Sequence, residues 1–208
     1  MGASQSAEPI TINNPAPPAS PVSGNISPHV TLGAGCYWGT EKYIRKDFQK
    51  RFPNSVKSAT VGFMNPDPNH KPNPSYREVC TGSTGHIEVL EVELYDPNAH
   101  YEELLRFFFM FHDPTTKNRQ GNDVGSQYSS HIFTYDDKQA SIAKKVVGQI
   151  QDSMSRGTLS NYEGSAVKTQ ITPATKFYPA EASHQDYLAK NPNGYCNHFF
   201  RFKTFPEL

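Results

Sequence analysis

The chain has 208 residues, which is room for one domain and hardly enough for two. Its 20 basic and 20 acidic residues cancel, which argues against a nucleic-acid-binding protein whose affinity comes from a basic face. No apolar run approaches the roughly 18 residues that a membrane-spanning helix needs, and three cysteines cannot form a closed disulfide framework.

The first 28 residues are predicted to be a disordered, proline-rich leader. They hold six prolines and a single charge, Glu8, so they bury too little apolar area to offset the entropy of an ordered chain. They contain no pattern typical of a secretory signal. The small number of cysteines in the chain fits a reducing compartment, so a cytoplasmic location is expected. The opening Met1-Gly2-Ala3-Ser4-Gln5-Ser6 fits the spacing of an N-myristoylation site, and one acyl chain on Gly2 would add only weak membrane association.

Residues 29–208 are predicted to form one domain that begins with alternating strands and helices. A strand at 29–32 runs into a glycine-rich turn, and a helix follows at 37–51 with the apolar stripe Tyr43, Ile44, Phe48 and Phe52. Strands are expected at 56–64 and 86–95, with a proline-rich loop at 65–75 between them. Asp96-Pro97-Asn98 then predicts the start of a helix at 99–111.

The second half of the domain continues the alternation. A polar loop at 113–127 leads to a strand at 128–135 and a helix at 136–153. A strand at 167–171, a short helix at 180–190 and an irregular tail complete the chain. The order β-α-β-β-α-β from 29 to 135 is typical of a ferredoxin-like, split βαβ core. We therefore predict an α+β fold with a C-terminal extension of helix and strand.

Cys36 stands between a glycine-rich turn and the first turn of the predicted helix. Free N–H groups and the helix dipole favour an anion there, and lowering the thiol pKa by about two units would make most of the sulfur thiolate. Tyr37 and Trp38 supply a flat apolar wall beside the sulfur. A buried structural cysteine is the alternative, and the glycines of the turn favour a functional one.

Glu88 lies in the strand at 86–95, where side chains alternate between the two faces of the sheet. It shares its face with Leu90, Val92 and Leu94, so it is an acid at the end of an apolar row. Desolvation raises the pKa of such an acid, and a carboxyl group protonated near neutral pH can act as a general acid. A solvated strand end is the alternative.

Three further polar side chains follow loops. Tyr76 and Tyr128 are neutral hydrogen-bond donors with apolar bodies, so either could bind a polarised oxygen or pack at a strand end. Asp123 could hold backbone N–H groups of a loop or a substrate, or cap a turn. Phe107, Phe108, Phe109 and Phe111 are expected in the core.

No feature of the sequence predicts a cofactor or a metal. There is no phosphate-binding loop and no dinucleotide fingerprint, and the histidines lack the paired spacing of a zinc site. Two thiols remain besides Cys36. We expect Cys80 to be passive, whereas Cys196, in a tail, could reach Cys36 and form a transient disulfide.

Taken together, these motifs resemble those of peptide methionine sulfoxide reductase A, over about residues 29–197. The matching segments are Gly35-Cys36-Tyr37-Trp38-Gly39-Thr40-Glu41, Tyr76-Arg77-Glu78-Val79-Cys80, Gly85-His86-Ile87-Glu88, His112-Asp113-Pro114-Thr115-Thr116, Gln120-Gly121-Asn122-Asp123, Gln127-Tyr128 and Asn191-Pro192-Asn193-Gly194-Tyr195-Cys196. Each is short, but their order and spacing together are highly specific.

The resemblance implies reduction of methionine (S)-sulfoxide, free and in proteins, to methionine. It implies that Cys36 attacks the sulfoxide sulfur and becomes a sulfenic acid, while Glu88 protonates the departing oxygen. Tyr76 and Tyr128 would hydrogen-bond that oxygen, Asp123 would help to position the substrate, and Tyr37 and Trp38 would hold the methyl group. A monomer is expected, with no cofactor besides thioredoxin or dithiothreitol as reductant.

Two residues depart from the family pattern. Tyr37 stands where most members have phenylalanine, so its hydroxyl adds a polar group to the substrate wall. Many bacterial members carry two tail cysteines, whereas this tail has only Cys196. A single Cys36–Cys196 disulfide, presented directly to thioredoxin, is therefore the simpler hypothesis.

Two other classes of function remain open at this stage. A cysteine acyl-transfer enzyme or protease would need a histidine within hydrogen-bond reach of Cys36. A non-enzymatic ferredoxin-like binding module could use Tyr37 and Trp38 as a stacking surface for RNA, although the neutral net charge speaks against it. Neither class explains Glu88 and the tail cysteine together.

Overall fold

The computed structural model describes residues 25–206. Its strands are β1 (His29–Ala34), β2 (Val56–Met64), β3 (Ile87–Leu94), β4 (Arg119–Gln120), β5 (Asp123–Val124), β6 (Ser130–Thr134), β7 (Gln170–Pro173) and β8 (Tyr178–Pro179). Six of them form one sheet in the order β7-β6-β1-β3-β2-β8, and β4 pairs with β5 in a separate hairpin. Neighbours in the large sheet are antiparallel except for β6 and β7, which are parallel.

The helices lie between these strands. They are α1 (Tyr37–Lys42), a π-helical segment (Tyr43–Phe48), α2 (Gln49–Arg51), α3 (Tyr76–Cys80), α4 (Pro97–Phe111), a 3-10 turn (Ser126–Tyr128), α5 (Asp137–Ser155) and α6 (Tyr187–Lys190). The two long helices have aspartate caps: the Asp96 carboxylate accepts from the Ala99 N–H and the Asp136 carboxylate from the Gln139 N–H. None of the helices within residues 25–206 is long and apolar enough to span a membrane.

The alternation predicted along β3 is confirmed, and it places the core. Leu90, Val92 and Leu94 are buried in the main cluster with the phenylalanines of α4. Ile87 and Val89 point to the other face and join a smaller cluster with Met64 and Phe133. Because both faces of β3 are covered, the strand is buried along most of its length.

Most predicted elements are confirmed, and the fold is a mixed α+β fold as expected. The strand at 56–64 has the predicted bounds, and the others differ by a few residues at their ends. The predicted helix at 37–51 is helical throughout, with π-helical geometry in its middle. The short helix α3 was missed, although Ser75 and Glu78 form the capping box that marks its start.

The predicted helix at 180–190 is wrong in its first part, because only Tyr187–Lys190 is helical. The Gln185 side chain instead pairs with the backbone N–H and C=O of Val61 on β2. Asp186 then adopts a left-handed conformation with φ of 53°. The segment before α6 is therefore tied to the sheet edge rather than coiled into a helix.

The boundary predicted at residue 28 is also displaced toward the N-terminus. Ile26 is buried, the Ser27 N–H donates to the Asp136 carboxylate, and the Pro28 carbonyl accepts from the Leu94 N–H. These contacts tie residues 26–28 to the domain. Residues 1–24 of that leader, including Gly2 and its myristoylation motif, lie outside the described residues.

Candidate active site

Cys36 lies at the predicted junction, two residues after the end of β1 and at the N-cap of α1. Gly35 makes the junction possible: its φ is +86°, and a Cβ there would be 2.4 Å from the Gln120 Cβ. The Cys36 side chain makes no capping hydrogen bond, but the backbone N–H groups of Trp38 and Gly39 face its sulfur and favour a negative charge there. The chain thus aims two helix N-terminal donors at the thiol.

The expected lowering of the Cys36 pKa is wrong. Burial of the thiol raises its pKa, the charge of Glu88 raises it further, and the two helix N–H groups oppose these effects only in part. Because its pKa is raised, the thiol keeps its proton at neutral pH. Deprotonation of this sulfur needs an acceptor for its proton inside the site.

Glu88 can become that acceptor once it has given up its own proton, and the burial predicted for it is confirmed. Its residue exposure is 2%, and its Oε2 accepts the backbone N–H of Tyr37 at 3.2 Å. Burial raises the pKa of Glu88 to about 8, which outweighs the lowering effect of the Tyr37 N–H, while Asp123 raises it further. The carboxyl group is consequently protonated for the most part at pH 7.

Tyr76 and Tyr128 come to the same site from two different loops. Tyr76 begins α3 and Tyr128 ends the 3-10 turn, and each phenol interacts electrostatically with Glu88. Burial is the main cause that raises the pKa of both phenols, so both keep their protons. The Tyr76 hydroxyl is also hydrogen-bonded to the Cys80 thiol, which lies one turn further along α3.

The expected apolar wall is formed by Tyr37 and Trp38 together with two residues that the sequence analysis missed. Trp38 stacks on Tyr187 with ring centroids 3.8 Å apart. The Tyr37 hydroxyl is hydrogen-bonded to His184 Nδ1 at 3.0 Å, and the His184 ring packs on Tyr76 at 4.5 Å. His184 therefore joins the aromatic wall to one of the two phenols.

Asp123 lies in β5, and its carboxylate accepts from both cysteine-bearing segments. The backbone N–H of Cys36 donates to it from one side. Tyr195 Oη at 2.9 Å and Asn197 Nδ2 at 2.8 Å donate to it from the tail. Neither tail residue was predicted as part of the site from the sequence, although both flank Cys196 directly. The carboxylate of Asp123 thus lies between the segment that carries Cys36 and the tail segment that carries Cys196.

All three cysteines are free thiols. Cys36 is buried, Cys196 is half-buried, and Cys80 is exposed. The acyl-transfer alternative lacks its histidine, since no histidine ring in residues 25–206 is hydrogen-bonded to Cys36. Within the same residues, no group of three or more His, Cys, Asp or Glu side chains could hold a metal ion.

Comparisons with known proteins agree with this geometry. The family model for peptide methionine sulfoxide reductase matches residues 28–205. A probable peptide methionine sulfoxide reductase of Schizosaccharomyces pombe is 40% identical over 177 residues, which cover 84% of this chain and 96% of the relative.

Solved structures give the same result. Mxr1 from Saccharomyces cerevisiae in reduced form is 36% identical, with a TM-score of 0.69 over 84% of this chain and 92% of that one. Methionine sulfoxide reductase A of Corynebacterium diphtheriae is 38% identical, with a TM-score of 0.66 over 81% of this chain and 76% of that one.

Proposed function

Because this chain belongs to the peptide methionine sulfoxide reductase family, we propose that it reduces methionine (S)-sulfoxide, free and in proteins, to methionine. The observation that carries the proposal is the pairing of a buried thiol, Cys36, with a buried carboxyl, Glu88, whose pKa is about 8. A nucleophilic sulfur and a proton donor are the two groups that removal of a sulfoxide oxygen requires.

The reaction uses both groups. Glu88 gives its proton to the sulfoxide oxygen while the Cys36 sulfur bonds to the sulfoxide sulfur, and the carboxylate accepts the proton of the thiol, so Glu88 finishes in its starting state. The protonated oxygen then passes from the substrate sulfur to the Cys36 sulfur, the bond between the two sulfurs breaks, and the thioether leaves while Cys36 becomes a sulfenic acid. The cysteine sulfur loses two electrons and the sulfoxide sulfur gains two.

The remaining site residues would hold the substrate. The Tyr76 and Tyr128 hydroxyls remain protonated and lie near Glu88, so they suit hydrogen bonding to the sulfoxide oxygen. Tyr37 and Trp38 would hold the methyl group against their rings. Asp123 would help to position the substrate, and it would also act through Cys36, whose backbone N–H faces its carboxylate.

The sulfenic acid must be reduced before the next turnover. The Cys196 thiol attacks the Cys36 sulfur, water leaves, and a Cys36–Cys196 disulfide forms. Thioredoxin, or dithiothreitol in vitro, then reduces this disulfide, and no other cofactor is needed. Asp123 supports the pairing because it binds residues on both sides of Cys196.

We also infer a ferredoxin-like, split βαβ core, a monomer and a cytoplasmic location. The first inference is supported by the sheet order β6-β1-β3-β2, in which β3 is antiparallel to both of its neighbours. A reducing compartment is supported by the three free thiols.

The experiment that tests the function supplies each epimer of N-acetyl-methionine sulfoxide with dithiothreitol and quantifies the thioether. The wild-type chain should reduce the S epimer only, Cys36→Ser should reduce neither, and Cys80→Ser should match the wild type. Reduction of neither epimer by a wild-type chain with intact thiols would refute the proposal. With thioredoxin as reductant, Cys196→Ser should lose turnover while keeping its activity with dithiothreitol.

A further inference from the structure

The His198 side chain is inserted under the turn that carries Cys36. Its Nε2 lies 2.6 Å from the carbonyl oxygen of Ala34, two residues before the nucleophile. On the other side, a Cβ on Gly39, three residues after the nucleophile, would be only 2.0 Å from His198 Nδ1. The imidazole therefore touches the catalytic turn on both sides of Cys36, and the contact depends on Gly39 having no side chain.

The protonation of this ring is fixed by its surroundings. Burial lowers the pKa of His198 to about 4, and the positive charges of Arg201 and Lys42 lower it too, although the Ala34 carbonyl opposes them. The ring is thus neutral at pH 7, and its single proton lies on Nε2, where it is donated to Ala34. Nδ1 has no hydrogen-bond partner within the described residues.

The backbone of His198 connects this anchor to Cys196. Its carbonyl oxygen accepts the Tyr43 hydroxyl at 3.1 Å, and Cys196 Sγ lies 3.9 Å from the same oxygen. His198 is thus anchored twice, by its ring beside Cys36 and by its carbonyl on Tyr43 in the helical segment after α1. The same carbonyl contacts the thiol of Cys196.

Further contacts fix the chain on either side of this residue. Tyr195 and Asn197 bind the Asp123 carboxylate before it. After it, the Arg201 guanidinium pairs with the buried Asp113 at 3.1 Å. Cys196 therefore lies within a short strap, residues 195–198, that is held at both ends.

We propose that His198 is a positioning residue for the disulfide-forming step, holding the strap so that Cys196 meets the sulfenic acid on Cys36. This inference rests on the proposed function. In that step the Cys196 thiol loses its proton and attacks the Cys36 sulfur, the hydroxyl leaves with that proton as water, and the disulfide forms. The His198 ring acts through the strap, and only the backbone carbonyl of His198 contacts a reacting sulfur, that of Cys196.

The expected effect of removing the anchor is a lower effective concentration of Cys196 at Cys36. Without the contacts of His198 the strap keeps only its hydrogen bonds to Asp123 and to the Gln120 carbonyl. The next contact along the chain is the Phe200 ring on Tyr43, so the strap can move further from Cys36. A loosely tethered group loses much of the rate advantage of a positioned one. The chemistry on the sulfoxide, which does not involve the strap, keeps its rate.

The test uses the full-length chain in a single turnover without reductant. The reduced protein is mixed with the S epimer of N-acetyl-methionine sulfoxide and quenched with acid at successive times. Methionine product is quantified, free thiols are alkylated, and the Cys36–Cys196 disulfide is followed by peptide mass spectrometry. Dimedone traps the sulfenic acid in parallel samples.

Two variants attack the anchor from different sides. His198→Phe keeps a ring but loses the bond to Ala34, and Tyr43→Phe removes only the hydroxyl that holds the His198 carbonyl. Their matched controls are His131→Phe, a buried histidine bonded to Thr172, and Tyr101→Phe, whose hydroxyl binds the Gln139 carbonyl. Melting curves show whether each variant folds. If His198→Phe does not fold, Tyr43→Phe still tests the proposal.

The proposal predicts a wild-type product burst in both anchor variants, with a disulfide that forms about tenfold or more slowly in His198→Phe and sulfenic acid that accumulates. Tyr43→Phe should show a smaller slowing, and the controls none. Wild-type disulfide rates in both anchor variants would overturn the proposal. So would a wild-type chain that gives the burst but no Cys36–Cys196 disulfide, whereas a wild type without a burst would refute the function itself.

Discussion

The backbone N–H of Tyr37 donates to Glu88 Oε2 at 3.2 Å. Tyr37 is the first residue of α1 and directly follows the nucleophile, Cys36. A helix N-terminal N–H would normally lower the pKa of a carboxyl group, yet burial outweighs it here and the pKa of Glu88 is about 8. The bond therefore fixes the position of the acid beside Cys36 without removing its proton.

The first prediction concerns the pH dependence of the reductase step. If Glu88 must be protonated to give a proton to the sulfoxide oxygen, kcat/KM for sulfoxide reduction should fall as the pH rises through about 8. Glu88→Gln cannot donate a proton and should lower the rate about 10²- to 10⁴-fold. Product-burst rates between pH 6 and 10 check this. An unchanged profile in Glu88→Gln would remove Glu88 from the role of acid.

The same pKa has a consequence for stability, which should fall with rising pH as the activity does. Folding raises the pKa of Glu88 above its ordinary value, so the native state binds more protons than the unfolded state between those two pKa values. This contribution is fully present below the unfolded pKa and is lost as the pH rises through about 8. Urea unfolding at pH 6 and pH 9 should show Glu88→Gln gaining stability relative to the wild type as the pH rises. A constant difference between the two proteins would contradict the raised pKa.

A third prediction tests the hydroxyl that distinguishes Tyr37 from phenylalanine. Tyr37→Phe removes the 3.0 Å hydrogen bond to His184 Nδ1. The His184 ring, which packs on Tyr76, then loses this restraint. One neutral hydrogen bond contributes about 0.5–1.5 kcal/mol, so kcat/KM should fall by about two- to tenfold, mainly through a higher KM. Steady-state kinetics with dithiothreitol measure it. Tyr101→Phe, which loses a buried hydroxyl away from the site, is the control; equal kinetics in Tyr37→Phe and wild type would deny the hydroxyl a role.

Much of the site was predictable because its signals are local. Strand alternation put Glu88 on the face of Leu90, Val92 and Leu94, with a solvated strand end as the alternative, and the strand–turn–helix pattern put Cys36 at the start of a helix. Both depend on residues that lie close together in the chain, which is the range over which sequence patterns are informative.

The parts that were wrong or missed depend on contacts between distant segments. The pKa of Cys36 is set by burial and by Glu88 from another strand, which the local helix signal does not contain. Gln185 gives up helical structure to pair with β2, and Tyr195 and Asn197 find their acceptor, Asp123, in a hairpin far away in the sequence. Tertiary contacts override local propensity at such positions.

A fourth prediction concerns Asp123, which accepts from the Cys36 N–H, Tyr195 and Asn197. Asp123→Ala leaves all three donors without this acceptor, so both the product burst and the disulfide step should slow by about tenfold. Tyr195→Phe removes a single tail donor and should slow the disulfide step alone. Single-turnover product and disulfide measurements separate the two steps. A normal disulfide rate in Asp123→Ala would show that the carboxylate does not position the tail.

The last prediction concerns the ion pair that fixes the chain after the strap. Asp113 is fully buried and its carboxylate accepts from the N–H groups of Thr115 and Glu163 as well as from Arg201. Asp113→Ala leaves these donors and a largely buried guanidinium uncompensated, so the free energy of unfolding should fall by about 3–5 kcal/mol.

Arg201→Met should cost less than Asp113→Ala, because the remaining carboxylate keeps its two backbone donors and the methionine preserves apolar volume. Lys145→Ala, which breaks a more exposed pair with Glu102, is the control and should change stability by no more than about 0.5 kcal/mol. Urea unfolding followed by the fluorescence of Trp38, the sole tryptophan, measures all three. If Asp113→Ala were as mild as Lys145→Ala, the buried pair would not hold the C-terminal segment to the domain.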